Sequence, residues 1–412
     1  MNAALSKDAA NTSSLDKNLF LLTYGVMSIG LSVALLDATA ITTNAGHRTN
    51  GAIYTSLYLC VLLLTAALTV PYAPALAARF TARSAFNFSV AAGSVAWLVA
   101  SLLILNGVEP IPVLMVNAVV VGALFGLFTA FGPLFSKAYL TGDGMAGAYA
   151  RLSVAGAIGM AIGGIAGGAI LNQVEPGWGL FARAVVGIPF AIFIWLKPPP
   201  VEPHSPKPER GPWTTMYVSV RDNRELRRAS ILGWSVSMLA APLASLIVPV
   251  ADALRQSPLL PGAGILMAGM YIGQLLSPAI VKRLSIGRSE INASAIAAIW
   301  TGLLLSVYGA ASLIFQMEPE LIVWAIIGLL FGALWLAQRS INLQAATDAG
   351  DEATTGEAVA VFMFAVSLAA PIGVLIWGLL INHVSVEAAI FAGAAGTVLG
   401  GIAYLKDSKA AA

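Results

Sequence analysis

The chain has 412 residues, 58% of them hydrophobic and only 10% charged, with a formal net charge of +2. Soluble domains carry about 25% charged residues. These numbers exclude an ordinary water-soluble domain and leave a protein built to sit in a bilayer.

The first 18 residues (MNAALSKDAANTSSLDKN) are polar and lack the basic, apolar and small-residue succession of a cleavable signal. The first apolar stretch is therefore expected to stay in the protein. Twelve apolar stretches follow, at 19–42, 52–76, 85–106, 111–136, 148–171, 177–196, 230–252, 262–282, 290–315, 320–341, 356–381 and 385–405. Membrane helices need about 20 such residues, and barrel strands alternate over about 10. The predicted fold class is an all-α polytopic membrane protein with 12 transmembrane helices.

The first stretch carries Asp37 within LLDATAI. A charge at the centre of a bilayer costs at least ~2.5 kcal/mol. With a helix start near Asn18, Asp37 lies about 28 Å along the helix, in the outer third of the membrane. Two readings are open there: a snorkelling or helix-end carboxylate, and a proton carrier. Thr42, Thr43 and Asn44 already give this helix a polar end, so nothing local requires the acid. A carboxyl group in a partly dry cavity can load and release a proton as the cavity opens to either side.

The second stretch holds the chain's one cysteine, Cys60, which excludes an intramolecular disulfide and reads as a small core residue. The fourth and tenth stretches supply Phe125, Phe128, Phe131, Trp335 and Arg339 as candidates for lining a cavity that suits a hydrophobic or amphipathic molecule. The fifth has Gly159, Gly163, Gly164, Gly167 and Gly168. Small residues at this spacing let helices approach closely, either as ordinary packing or as a smooth surface turned to the other half. The sixth carries Arg183 six residues after its outer start, at a depth similar to Asp37. An intramembrane arginine needs a partner, and pairing of Asp37 with Arg183 is the expectation.

Residues 197–229 form the one long hydrophilic segment, with prolines that block a helix at first and then a basic stretch able to form one along the membrane surface, and read as a linker. Pro242 and Pro249 in the seventh stretch and Pro371 in the eleventh are expected bending points. Asp252 reads as a surface ion pair with Arg255. Arg151, Glu357 and His383 read as solvated helix ends, while Asn342 and Gln344 crowd the inner end of the tenth stretch beside Arg339.

Placing the N-terminus inside puts 19 of the 22 Lys and Arg residues on one side of the membrane, leaving Arg48, Arg183 and Arg255 towards the other. The positive-inside rule then assigns both termini to the cytoplasm of a plasma-membrane protein. The outer loops are short and carry Glu109, Glu175, Glu318, Glu320 and Glu387. Two matches divide the chain. Pro74-Ala-Leu-Ala-Ala-Arg79-Phe-Thr answers Pro278-Ala-Ile-Val-Lys-Arg283-Leu-Ser, and Gly122-Ala-Leu-Phe-Gly126 answers Gly328-Leu-Leu-Phe-Gly332. The expected organisation is a six-helix bundle at 1–196, a cytoplasmic linker at 197–229 and a second bundle at 230–412, with rocking that exposes an interfacial site alternately to each side.

The layout resembles the major facilitator superfamily, and three motifs resemble its drug/proton antiporter branch. Leu36-Asp37-Ala38-Thr39 is similar to the branch's first-helix LDAT. Gly159 to Gly168 is similar to GxxxGPxxGG, with Gly164 in place of proline. Pro74 to Arg83 is similar to the loop GxLADRxGRR, with Pro74 for the first glycine and Ala78 for the aspartate; the arginine early in the fourth helix is Ala118 here. The resemblance implies a proton-coupled exporter with the fifth-stretch glycines limiting leak, and Asp37 with Arg183 are the coupling candidates. Arg79, Arg83, Lys282, Arg283 and Arg288 read either as topogenic charge near anionic headgroups or as a cytoplasmic gate. The resemblance also implies a small-molecule substrate, protons and the lipid bilayer as partners, no nucleic acid, no cofactor beyond the proton motive force, and a monomer. Proton-coupled uptake of a small metabolite is the second reading, and a non-transporting membrane sensor or scaffold the third. No nucleophile motif, HExxH spacing or nucleotide-binding glycine loop occurs, so no enzyme is expected.

Overall fold

The computed structural model describes residues 14–45, 51–73, 76, 79–140, 145–198, 212–253, 259–315, 321–349 and 355–410. Pro74, Ala78, Arg48, Arg255, Glu318 and Glu320 lie outside these, as does the side chain of Glu357.

In the first half the described residues form α1 (Ser14–Ala45), α2 (Gly51–Thr69, extended by a 3-10 turn at Val70–Tyr72), α3 (Ala82–Leu105), α4 (Pro110–Tyr139), α5 (Met145–Leu171) and α6 (Trp178–Leu196). A short α7 (Pro212–Asp222) follows. The second half comprises α8 (Arg224–Leu239), α9 (Pro242–Ser245), α10 (Ile247–Ala253), α11 (Leu259–Gln274), α12 (Ser277–Ser285), α13 (Glu290–Phe315), α14 (Leu321–Asp348), α15 (Thr355–His383) and α16 (Val386–Ala410).

Ten of these helices are long and apolar enough to cross a membrane, and α11 with α12 makes an eleventh crossing bent by 47°. The twelfth predicted crossing, 230–252, is not one helix. It is the series α8, α9 and α10, interrupted around Ala240 and Leu246. Pro242 and Pro249 have no N–H to give to a helical ladder, so the chain turns through tighter three-residue bonds, Leu243 N to Ala240 O at 3.3 Å and Ala244 N to Ala241 O at 3.0 Å. Pro371, by contrast, sits within the continuous α15. In the polar segment at 197–229 the part after the prolines is helical: α7 lies in it, and α8 starts at Arg224. Asn223 caps that start, accepting from Leu226 N at 3.0 Å and donating to Ala349 O at 2.6 Å, which ties α8 to the end of α14.

Within the first six helices, α1 packs on α5 and α6, α2 on α4, and α3 on α4 and α6; in the later group α11 packs on α14, α13 on α14 and α16, and α8 on α15. The two groups meet where α5 lies on α11 and α2 on α15. Phe20, Phe86, Phe131, Phe135, Tyr139, Phe190 and Phe193 fill the interior of the first half with ring on ring, Phe86 and Phe135 stacking at 4.6 Å.

The repeated Gly-x-x-x-Gly pairs have matching jobs. A Cβ added at Gly122 or Gly126 of α4 would overlap the carbonyls of Leu62 or Ala66 and the hydroxyls of Thr65 or Thr69 on α2. One added at Gly328 of α14 would stand 2.6 Å from Leu266 O of α11, and one at Gly332 would overlap Met270 O. In each half the fourth long helix is pressed backbone to backbone on the second, a contact open only to glycine.

The α5 glycines serve two neighbours. Gly159, Gly163 and Gly167 face α1: a Cβ on Gly163 would meet Ser32 Cβ at 2.7 Å, and one on Gly167 would meet Val33 Cα at 3.3 Å. Gly164 and Gly168 face α11, where added Cβ atoms would lie 2.9 Å from Gly264 O and 2.6 Å from Leu260 O. The expected smooth surface towards the second half is therefore carried by two of the five glycines, while the other three build the first half. Gly378 of α15 presses similarly on Ser56 and Ala52 of α2. All these inter-half contacts lie at the end of the bundle that holds Asp37.

Two outcomes follow for thermal unfolding of the purified protein. Gly332→Val should lower stability by about 1–3 kcal/mol through overpacking, whereas Gly132→Ala, where an added Cβ meets nothing within 4 Å, should be neutral or slightly stabilising. Gly163→Leu should damage folding through the α1 contact. Gly164→Leu should leave the first half folded and change transport, and equal thermal losses for the two variants would contradict the division of faces.

Candidate functional site

The helix α6 begins Pro176-Gly177-Trp178-Gly179 and brings no side chain able to cap its own first turn. Gly177 occupies the N-cap position at φ 105°, a left-handed conformation that glycine adopts freely, and makes no side-chain cap. The first N–H groups of any helix lack partners within it. Asp37 supplies the missing acceptor from α1. Its Oδ2 accepts from Gly179 N at 2.8 Å, Gly177 N at 3.0 Å and Leu180 N at 3.3 Å. The carboxylate also lies on the positive end of the α6 dipole, the arrangement that helix N-termini offer to anions.

Asp37 is 4% exposed. A Cβ at Gly179 would stand 2.5 Å from Asp37 Cβ, so this approach of α1 to α6 depends on glycine there. From α3, Ser101 donates to Gly177 O at 2.9 Å and holds the same residue from its other side. Tyr58 of α2, fully buried with no partner for its hydroxyl among the described residues, lies within electrostatic reach of Asp37. Beyond Asp37 a hydroxyl cluster joins α1 to α2: Thr55 Oγ1 is 2.9 Å from both Thr42 and Thr43, whose own hydroxyls donate back to Ala38 O at 2.9 Å and Thr39 O at 2.7 Å.

The expected pairing of Asp37 with Arg183 is not formed in this conformation. Gly179 and Arg183 stand one turn apart on the same face of α6, but the guanidinium runs the other way. Its Nη1 lies in the space that a Cβ on Gly187 would fill, beside Ser94 Oγ of α3. Arg183 is 8% exposed, and neither its Nε nor its Nη1 has a partner among the described residues. The notion that nothing local requires Asp37 is likewise corrected, since the need lies in α6 rather than in α1.

The gate cations separate. Arg83 Nε donates to Ile194 O at 3.1 Å and Nη2 to Trp195 O, so this side chain binds the carbonyls at the C-terminal end of α6 and joins α3 to it. Nearby, Lys197 pairs with Asp16 at 3.3 Å and Tyr139 donates to Lys197 O at 2.6 Å. Arg79 is exposed, 5.4 Å from the ring of its neighbour Phe80. Lys282, Arg283 and Arg288 are exposed, with Arg288 donating to Leu284 O at 3.2 Å. Asp252 and His383 are exposed too.

Of the cavity-lining candidates, Phe131 is 1% exposed and belongs to the aromatic interior of the first half. This corrects its expected place on a pathway. Phe125 and Phe128 line a small cavity beside Arg183. Trp335 stacks on Phe331 at 6.1 Å, and Arg339 is half-buried with Nη2 4.0 Å from Met363 Sδ. Asn342 is fully buried with both amide atoms unpartnered among the described residues; Gln338 donates to Ser294 at 3.3 Å.

Known proteins place this geometry. The protein is similar in structure to a D-xylose–proton symporter (13% identity, TM-score 0.73, covering 96% of this chain and 98% of the other). It is also similar to the xylose transporter XylE from E. coli in a partially occluded inward-open conformation (12% identity, TM-score 0.71, 96% and 99%). A third likeness is to the human organic anion transporter MFSD10 (12% identity, TM-score 0.68, 94% and 98%). At such identities these likenesses concern the fold alone. No curated protein sequence matches. Residues 19–353 match the Major Facilitator Superfamily. The match covers most of the chain, which is a member of the Major Facilitator Superfamily of membrane transporters.

Proposed function

We propose that this transporter is a secondary active exporter of an amphipathic or hydrophobic small molecule, which it exchanges for protons across the plasma membrane with both termini in the cytoplasm. The two rocking bodies are residues 1–196 and 230–412, joined by the segment at 197–229. The single observation that carries the reading is the place of Asp37: an acid buried in a membrane helix, bound to three amides at the start of another helix.

Protonation of Asp37 removes the charge that complements the α6 N-terminus and weakens the junction of α1 with α6. Three α5 glycines then connect α1 to α5, and two connect α5 to α11 in the opposite half. A proton arriving at Asp37 thus acts at one end of a continuous series of backbone contacts that closes the halves together. The aromatic character of the first half and the scarcity of buried charge favour an amphipathic cargo over one dense in hydroxyl groups. The likeness to a D-xylose–proton symporter favours uptake as the second reading.

Proteoliposomes with a pH-sensitive dye inside separate these readings. Addition of a transported amphipathic compound should dissipate an imposed gradient in the antiport direction, while symport gives the opposite sign. Asp37→Asn, which keeps an oxygen for the α6 amides but carries no charge, should abolish the proton flux and leave the protein folded; uphill transport by this variant would remove the main support for the proposal. Asp37→Ala should in addition lose about 1–3 kcal/mol of stability, because buried amides are left without an acceptor.

A further inference from the structure

Arg183 poses a problem that transport does not resolve. It is 92% buried within a membrane helix, its Nε and Nη1 lack partners among the described residues, and Asp37 is committed to the α6 amides. A buried cation without a counter-charge is strongly unfavourable. Arg183 borders a cavity of ≈ 40 Å³ between α1, α3, α4 and α6, whose wall includes Ser89, Gly93, Trp97, Phe125 and Phe128. We propose that this cavity is a binding site for a small monovalent anion of chloride size, held by the Arg183 guanidinium.

Size and charge together favour this ligand. Pockets for drug-sized molecules occupy roughly 300–1,000 Å³, so this space is far too small for a transported cargo. One water needs about 10–15 Å³ of such space, so the volume takes a single halide, or about three or four waters. Waters can satisfy N–H groups but leave the net charge uncompensated, and the remaining wall is apolar apart from Ser89, whose hydroxyl donates to Phe86 O at 2.7 Å. An anion beside the guanidinium cancels that charge, which water cannot do. Gly93 leaves the room for it: a Cβ built there meets nothing within 4 Å.

The site is independent of the direction and coupling of transport, so its test uses the full-length protein in detergent and a readout other than transport. Thermal unfolding is followed while chloride replaces gluconate at constant ionic strength. A saturable rise in midpoint by several degrees with chloride, a smaller one with formate and none with gluconate is expected. Gly93→Val fills the cavity while retaining Arg183, and Arg183→Gln removes the cation; both should abolish the chloride increment. Equal midpoints in chloride and gluconate for the wild-type protein would show that water alone occupies the cavity and would overturn the proposal. A chloride increment that survives Gly93→Val would place the binding elsewhere and overturn it as well. The wild-type and Gly93→Val measurements decide the matter even if Arg183→Gln does not fold.

Discussion

A helix that begins at a buried place without its own cap must borrow one. The α6 start exposes N–H groups that neither water nor its glycines can satisfy, and Asp37 reaches across from α1 to accept three of them. The debt runs both ways. A lone carboxylate is as poorly placed in hydrocarbon as bare amides are, and each relieves the other. Ser101 brings α3 to the same point through Gly177 O. Three helices of the first half therefore converge on one carboxyl group, and their relative positions depend on its charge.

From that point the glycines carry the consequence outward. Gly179 lets α1 approach α6; Gly159, Gly163 and Gly167 let α5 approach α1; Gly164 and Gly168 let α11 approach α5. At Gly179, Gly159, Gly163, Gly164 and Gly168 the nearest neighbour is backbone or a short side chain, which absorbs little displacement, while Gly167 also touches the flexible end of Leu36. Rigid contact of this kind passes a shift on, whereas a layer of leucines would repack around it. Coupling between sites needs contiguous elements, and this series of contacts is contiguous from Asp37 to the inter-half seam.

Much of this was legible in the sequence. Apolar stretches of the right length marked the crossings, and the paired Gly-x-x-x-Gly motifs marked equivalent helix contacts in the two halves because only glycine permits them. Asp37 stood out through its cost in a bilayer. Its partner did not, because three backbone amides carry no residue identity. The signal that was present is the run Pro176-Gly177-Trp178-Gly179, a helix start with no Ser, Thr, Asp or Asn to cap it, which asks for an acceptor from elsewhere. Phe131 misled because composition does not distinguish an aromatic ring turned into one bundle from a ring turned to the gap between two. The seventh crossing broke because two prolines about two turns apart each remove an amide from the ladder, leaving pieces shorter than a membrane crossing.

The separation of Asp37 from Arg183 has its own logic. Helical side chains ordinarily lean towards the N-terminus of their helix, which would carry Arg183 towards Asp37; here the guanidinium lies over Gly187 instead. One carboxylate oxygen already serves three amides, and turning it to the arginine would leave those amides bare while gaining one ion pair that desolvation makes costly. The first half thus holds an acid and a base that answer different needs, the acid a helix terminus and the base a cavity. Because neither neutralises the other, the Asp37 carboxylate serves the α1–α6 junction alone and is not drawn off into a local ion pair.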